Sequence, residues 1–351
     1  VDLCNDDGQT NSVSSFPMVV SPVARSLISE GTDFAKVRLV LVVVLLISGV
    51  GGTLRAQNDG SAKPSVKSGT SVPVKVKAAE VPPPDWIKEI SPSLPGPFGA
   101  MKPCRVLYKL SWNNTVGAGE VTVNLLENGA FWVGTSSAAS TGFARALWTY
   151  DCTLSSVVDR ASLRTDHFGH VEIDGGEQTD FQVEFRKDRL VTEARYLPKP
   201  GKKDKPLYSR RIFAYPQTDD LLSAILYVRS QKLEKGDRIK RVVQPFNVPY
   251  LVTYIVKGPE KRDVQGKDFS TTKVEVEIQK VDRRTLALAA YDKMKSATLW
   301  VSDDEFRLPV EIHADIFIGF VSARLMERKF LEGPAGVADS VPELQSLALP
   351  P

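Results

Sequence analysis

Residues 299–319 read LWVSDDEFRLPVEIHADIFIG, the stretch whose side chains are richest in usable chemistry. Asp303, Asp304 and Glu305 are consecutive, and Glu311, His313 and Asp315 fall on alternate positions. Alternate residues of a strand point to one side, and imidazole with carboxylates is a donor set for a divalent metal. Side chains two apart on one strand stand about 7 Å from each other, however, so three of them rarely converge on one ion. The expectation is therefore no metal. Glu311, His313 and Asp315 form the wet face of a half-buried strand, and the acid triplet is a hairpin connection. Pro309 then opens the strand, where proline is tolerated.

Asp166-His167-Phe168-Gly169-His170 places two histidines beside an acid. No cysteine or further histidine lies nearby, and the stretch reads as a polar turn between strands. With three histidines in the whole chain, a histidine-rich site is excluded. No G-x-S-x-G elbow, phosphate-binding loop or dinucleotide fingerprint is present. Gly117-Ala118-Gly119 reads as a turn or a point of close approach, and the basic run KPGKKDKP (199–206) as a solvated hairpin tip. A hydrolase would draw on carboxylates among Asp159, Asp303, Asp304 and Glu305.

The elements that must position these groups are mostly strands. Val106, Tyr108, Leu110 and Trp112 alternate with less apolar neighbours, as do Val121, Val123 and Leu125 before the hairpin signal Glu127-Asn128-Gly129. Phe181, Val183 and Phe185, then Val274, Val276 and Ile278, then Val310 to Ile318 repeat the pattern. Such alternation means antiparallel strands with one buried face. One segment departs from it. In TDDLLSAILYVRSQKLEKGD, Leu221, Leu222, Ile225 and Val228 have helical spacing, which predicts a helix over about 219–232 with Asp219 as N-cap. Arg229 near its end, with Asp219 and Asp220 at its start, would fix how the helix docks on the sheet. A shorter helix is predicted around 143–148.

The chain has 351 residues, a formal charge of +3 and a sequence pI of about 8.6. That is too balanced for a dedicated nucleic-acid binder. Lys36 and Arg38, the apolar run 39–50 and the small residues before Ala56 read as an export signal over 36–56. If uncut, this segment is a short membrane anchor, although the run is below the roughly 20 residues that span a bilayer. Residues 1–35 read as an over-extended, disordered start. Residues 57–103, rich in Pro, Lys and Ala, read as a tether. Residues 104–332 read as the β-rich domain and 333–351 as a flexible tail. Outside the start, Cys104 and Cys152 form an even pair, compatible with a disulfide in an oxidising compartment.

These pieces resemble the bacterial exported family known as Domain of Unknown Function 3108. The resemblance is carried, in order, by YKLSWNNTVGAGEV (Tyr108, Trp112, Gly119), SSVVDRASLRTDHF (Asp159) and the helix (Asp220, Arg229). VQGKDFSTTKVEVEI (Gly266) and LWVSDDEFRLPVEI (Trp300, Asp304, Pro309) complete it. It implies an envelope protein rich in antiparallel β structure and brings no reaction. VQPFNVPY, residues 242–250, departs from the pattern, with prolines where a plain strand is expected. The fold expected is one strongly curved antiparallel sheet or open β-barrel carrying one substantial helix. A sheet of that kind can enclose an apolar groove. The function expected is non-catalytic binding of a lipid-like or glycan ligand, or of a protein partner, in the periplasm or cell envelope, without a cofactor. The alternatives are a carboxylate hydrolase and a scaffold with no ligand.

Overall fold

The computed structural model describes residues 83–331 except 247, 292–293, 295 and 317–318. The segments read as start, export signal and C-terminal tail, and the first part of the tether, lie outside the described residues. The first half of the domain is an antiparallel meander. It comprises β1 (Cys104–Trp112), β2 (Val116–Asn128), β3 (Phe131–Ser140), β4 (Tyr150–Asp159), β5 (Thr165–Asp174), β6 (Glu177–Phe185), β7 (Leu190–Leu197) and β8 (Leu207–Phe213). A short helix α1 (Gly142–Leu147) links β3 to β4, where the weaker helical signal falls. The second half holds β9 (Thr218–Asp219), helix α2 (Leu221–Ser230), β10 (Arg238–Val243), β11 (Tyr250–Val264) and β12 (Lys267–Val281). It ends with β13 (Leu288–Ala290), β14 (Ser296–Ser302), β15 (Pro309–Asp315) and β16 (Phe320–Phe330).

All strands join one sheet in the order β8-β7-β6-β5-β4-β3-β2-β1-β16-β15-β14-β12-β11-β10-β9, with β13 added to β12. The two edges, β8 and β9, are not paired to each other, so the barrel stays open. They are nonetheless joined by residues 214–217 alone, which reach no further than about 18 Å, so the sheet must curl. Phe246 crosses the remaining gap, its ring 4.7 Å from that of His170 and 5.8 Å from that of Phe181. This is what the prolines of 242–250 accomplish. A plain strand was expected there, but β10 stops at Val243 and β11 starts at Tyr250. Pro245 has no N–H to extend a ladder, and the loop is freed to send Phe246 across.

Inside the curl lies α2. Eight of its ten residues are buried, as befits a helix enclosed on more than one side. Its N-cap is Asp220, whose Oδ1 accepts from the Ser223 N–H at 2.7 Å. This corrects the expectation of Asp219, which instead belongs to β9 and pairs with Arg241. The last carbonyls of α2 are also satisfied. Phe98 N–H donates to Ser230 O (2.9 Å), and the Arg307 side chain donates to Arg229 O (2.8 Å) and Gln231 O (2.7 Å).

The contact from Phe98 shows that the tether ends earlier than residue 103. From Pro83 onward the chain is a strap laid on the domain, with Trp86 buried and its Nε1 donating to Leu286 O (3.0 Å). Ser91 exchanges hydrogen bonds with Lys240. One buried tryptophan and Ser91, which bonds to the part of β10 that β9 leaves open, dock a segment that has no apolar period of its own.

The disulfide expectation is corrected as well. Cys104 and Cys152 are separate buried thiols. They sit on β1 and β4 with β2 and β3 between them, and Cys152 stands in the row of Tyr108, not of Cys104. Strands lie about 4.8 Å apart, which puts the pair beyond the ~7 Å between Cα atoms that a bridge permits.

Gly119 is inside β2, not in a turn. A Cβ there would meet the Ala139 carbonyl oxygen at 2.5 Å, so the close approach is genuine. Gly119→Ala is expected to lower stability by about 1–3 kcal/mol, read as a lower urea midpoint with an unchanged slope; an unchanged midpoint would contradict this packing.

Candidate functional site

The rows of side chains on the concave face explain where space remains. In register across β1–β4, Val106, Val123, Ser136 and Leu154 form one row, and Cys104, Leu125, Gly134 and Ser156 the next. Along the buried face of β3, Trp132 is followed by the small residues Gly134, Ser136 and Ala138, and the small run lets α2 come close. A Cβ on Gly134 would overlap Leu222 Cδ2 at 2.1 Å.

Between α2 and this face lies a cavity of about 80 Å³. Leu125, Leu154, Phe168, Leu222, Ile225 and Ile312 are among its apolar lining residues. Val123, Leu154, Leu222 and Ile225 line it yet are only partly buried. They mark a rim that reaches solvent.

Few polar groups line this space, and two of them carry an unpartnered atom. Arg229, in the last turn of α2, is 5 % exposed and lines the cavity. Its Nη2 donates to Phe306 O at 2.8 Å, but its Nε has no partner. The titratable groups that act on it are the Cys104 thiol and the Tyr108 phenol. Burial pushes both pKa values up, so both are neutral at pH 7. Burial likewise pushes the Arg229 guanidinium down from its ordinary value, and no carboxylate pairs with it among the described residues. Ser136 Oγ, on the same cavity, is also buried without a partner. Tyr108, by contrast, donates to Pro309 O at 2.9 Å and ties β1 to the start of β15.

The other residues singled out from the sequence are placed as follows. The acid triplet does connect β14 to β15, and Pro309 opens β15. Asp304 accepts from Ser302 Oγ and Phe306 N–H and pairs with Arg328. Burial works against its ionisation, but Arg328 and Ser302 outweigh it and hold the pKa below the ordinary value. Asp303 accepts from Thr272, and Glu305 pairs with Lys102 at the surface. Asp159 lies at the end of β4 and closes the turn to Ser162. The acids named for hydrolysis are thus spread over two separate turns, on β4 and on β14–β15. Trp300 donates to Glu260 (2.8 Å) beneath the Arg262 guanidinium, and Trp112 packs on the edge of the core.

The wet-face reading of β15 needs correction. Glu311 is fully buried and bonded to Arg262 (2.7 Å) and Arg324 (3.4 Å). Arg262 comes from the far end of the long β11–β12 hairpin, which folds over this face. His313 faces Asp315 (3.4 Å) and stacks on Phe320, while Asp315 also accepts from Ser296. The three share a face, as strand geometry demands, but each is committed to different partners. His167 and His170 are corrected too. They lie within β5, not in a turn, and their spacing of three sends them to opposite faces. His167 is partly exposed. His170 is buried against Phe181 and Phe246, and burial alone lowers its pKa to about 3. No group of three or more metal-ligating side chains occurs among the described residues.

Sequence reasoning did not single out Gly134, Ser136 and Leu154, and it read Leu222 and Ile225 only as the apolar stripe of the helix. The usable signal was β3 itself: after Trp132, its alternate residues Gly134, Ser136 and Ala138 are all small, and such a run on a buried face must lie against something close.

The fold and cavity define an open, curled antiparallel sheet with a helix enclosed in it. The chain belongs to the family described as "Protein of unknown function (DUF3108)", which matches residues 107–326. No curated protein sequence matches it significantly. Among solved structures it resembles a beta-barrel-like protein of domain DUF1849 from Brucella abortus. That match has 8% identity and a TM-score of 0.46, covering 66% of this chain and 99% of that one. A protein from Parabacteroides distasonis described as a lipoprotein shares 8% identity at a TM-score of 0.27, covering 68% and 100%. An exported protein with a YmcC-like fold from Bacteroides fragilis shares 8% at 0.23, covering 67% and 100%. At these values the likenesses carry no information on function.

Proposed function

We propose that this is an exported, non-catalytic binding protein of the cell envelope that takes up one end of a lipid-like ligand between α2 and β1–β5. The observation that carries the reading is the rim: Val123, Leu154, Leu222 and Ile225 point inward and yet keep partial contact with solvent. In a filled core such positions would be closed. The cavity is roughly half the ~150 Å³ of an engineered apolar cavity that takes up benzene. It therefore suits one end of an amphiphile, with the remainder of the ligand leaving past the rim. Export rests on the segment 36–56, and no helix of the described residues is long and apolar enough to cross a membrane. The acids available for hydrolysis sit apart, so nothing favours the hydrolase alternative.

Native mass spectrometry of protein purified from the envelope is expected to show a bound amphiphile. Val123→Trp, which places an indole in the cavity, should lose that mass while keeping its circular dichroism. Bare wild-type protein that also takes up no added aliphatic probe would overturn the reading.

A further inference from the structure

We infer that the ligand of this cavity carries a single carboxylate head, held by Arg229, with its chain directed along α2 toward Phe168. The inference rests on the apolar-ligand reading and adds the head group and its orientation. A buried cation without a counter-charge is costly unless something compensates for it. Here the compensation within the protein is incomplete. Arg229 spends Nη2 on a backbone carbonyl, reaches the neutral Cys104 thiol, leaves Nε unpartnered, and has the neutral Tyr108 phenol and no acid beside it. The helix C-terminus does not account for the arginine either, because the terminal carbonyls are already met by Phe98 N–H and the Arg307 side chain. What remains is one buried positive charge with an unpartnered donor, on the wall of a largely apolar space. A carboxylate matches a guanidinium in charge and in planar donor geometry.

The opposite end of the site sets the direction. The cavity is lined from Leu221 to Arg229, about 12 Å of helix at 1.5 Å per residue. Its far end lies beside the buried Asp220 carboxylate, which Ser156 bonds. An anionic head is repelled there and attracted at Arg229. Ser136 Oγ, unpartnered at mid-cavity, is left for a polar group partway along the ligand and is not needed for the head.

The test uses the purified full chain and three probes with one chain: hexanoate, hexanol and hexyl phosphate, titrated calorimetrically at pH 7. Wild type is expected to bind hexanoate at least about tenfold tighter than hexanol, the worth of one charge-assisted hydrogen bond. Arg229→Met should bring hexanoate down to the level of hexanol and leave hexanol unchanged, while Arg229→Lys retains part of the preference. If Arg229→Met does not fold, the wild-type ratio and the lysine variant still decide. Equal binding of hexanoate and hexanol by wild type would sink the carboxylate inference and leave the apolar cavity standing. Tightest binding of hexyl phosphate would replace the carboxylate with a phosphate head. Binding of none of the three would overturn both the inference and the cavity reading beneath it.

Discussion

Arg241→Ala is expected to destabilise the domain by about 3–5 kcal/mol, the cost of stripping one partner from a buried ion pair. Arg241 and Asp219 are 3% and 2% exposed and bonded twice, Nε to Oδ2 at 2.5 Å and Nη2 to Oδ1 at 2.7 Å. Alanine would leave the Asp219 carboxylate buried without its partner. The same guanidinium donates to Ser91 O (2.8 Å) and Ser93 Oγ (3.1 Å) and lies over the Tyr227 ring. One side chain therefore joins β10, the edge strand β9, the helix and the strap. Urea denaturation gives the stability. Limited proteolysis gives the second signature, faster cleavage within 83–103 than in wild type under native conditions. The double variant Asp219→Leu/Arg241→Met should recover much of the loss, because apolar groups of similar size leave no charge uncompensated. A single-variant loss below about 1 kcal/mol would show that the pair does not hold the sheet's open edge.

How much of this was legible in the sequence depended on whether the cause was local. Val106 to Trp112, Phe181 to Phe185 and Val274 to Ile278 announce their strands because period two is imposed by one neighbouring buried face. The helix was readable for the same reason, and so was Asn128-Gly129, since Gly129 takes φ +58° in the β2–β3 turn. β5 was not. Its stretch Asp166–His170 looks like a turn by composition, because its inward side carries His170 and its partners Phe181 and Phe246 come from elsewhere in the chain. Glu311 fails the same way. A glutamate at an alternate strand position reads as wet until a hairpin tip more than forty residues earlier brings Arg262 over it. The cavity is the furthest from legibility. It arises from the mismatch between small inward residues on β3 and the side chains of α2, and neither segment alone reveals a space between them. Arg229 was visible as a docking residue, but its missing counter-charge was not, because an absence of acids is a property of the surroundings.

Asp220 yields the second large effect, and it depends on pH. The group is wholly buried, and desolvation raises its pKa from 3.8 to about 6. Hydrogen bonds from Ser156 and Ser223 only partly oppose this, and the neighbouring Asp219 adds to the rise. Because the folded pKa lies above the unfolded one, the protonated form favours folding. That contribution is complete below pH 3.8 and is lost as the pH rises through about 6. At about 1.4 kcal/mol for each tenfold change, the loss amounts to about 3 kcal/mol. Asp220→Asn keeps an oxygen to accept from Ser223 N–H as N-cap and cannot ionise. The variant is therefore expected to gain on wild type by about 2.5 kcal/mol between pH 4 and pH 7, part of the full change having already occurred at pH 4, from urea denaturation at both values. Its absolute stability at pH 4 matters less than this difference. A constant gap between the two proteins would mean that Asp220 does not titrate in this window. The charge that the wild type tolerates at pH 7 has a place in the binding reading. It stands at the end of the cavity opposite Arg229, so a residue that weakens the fold at neutral pH also keeps an anionic head group at the other end.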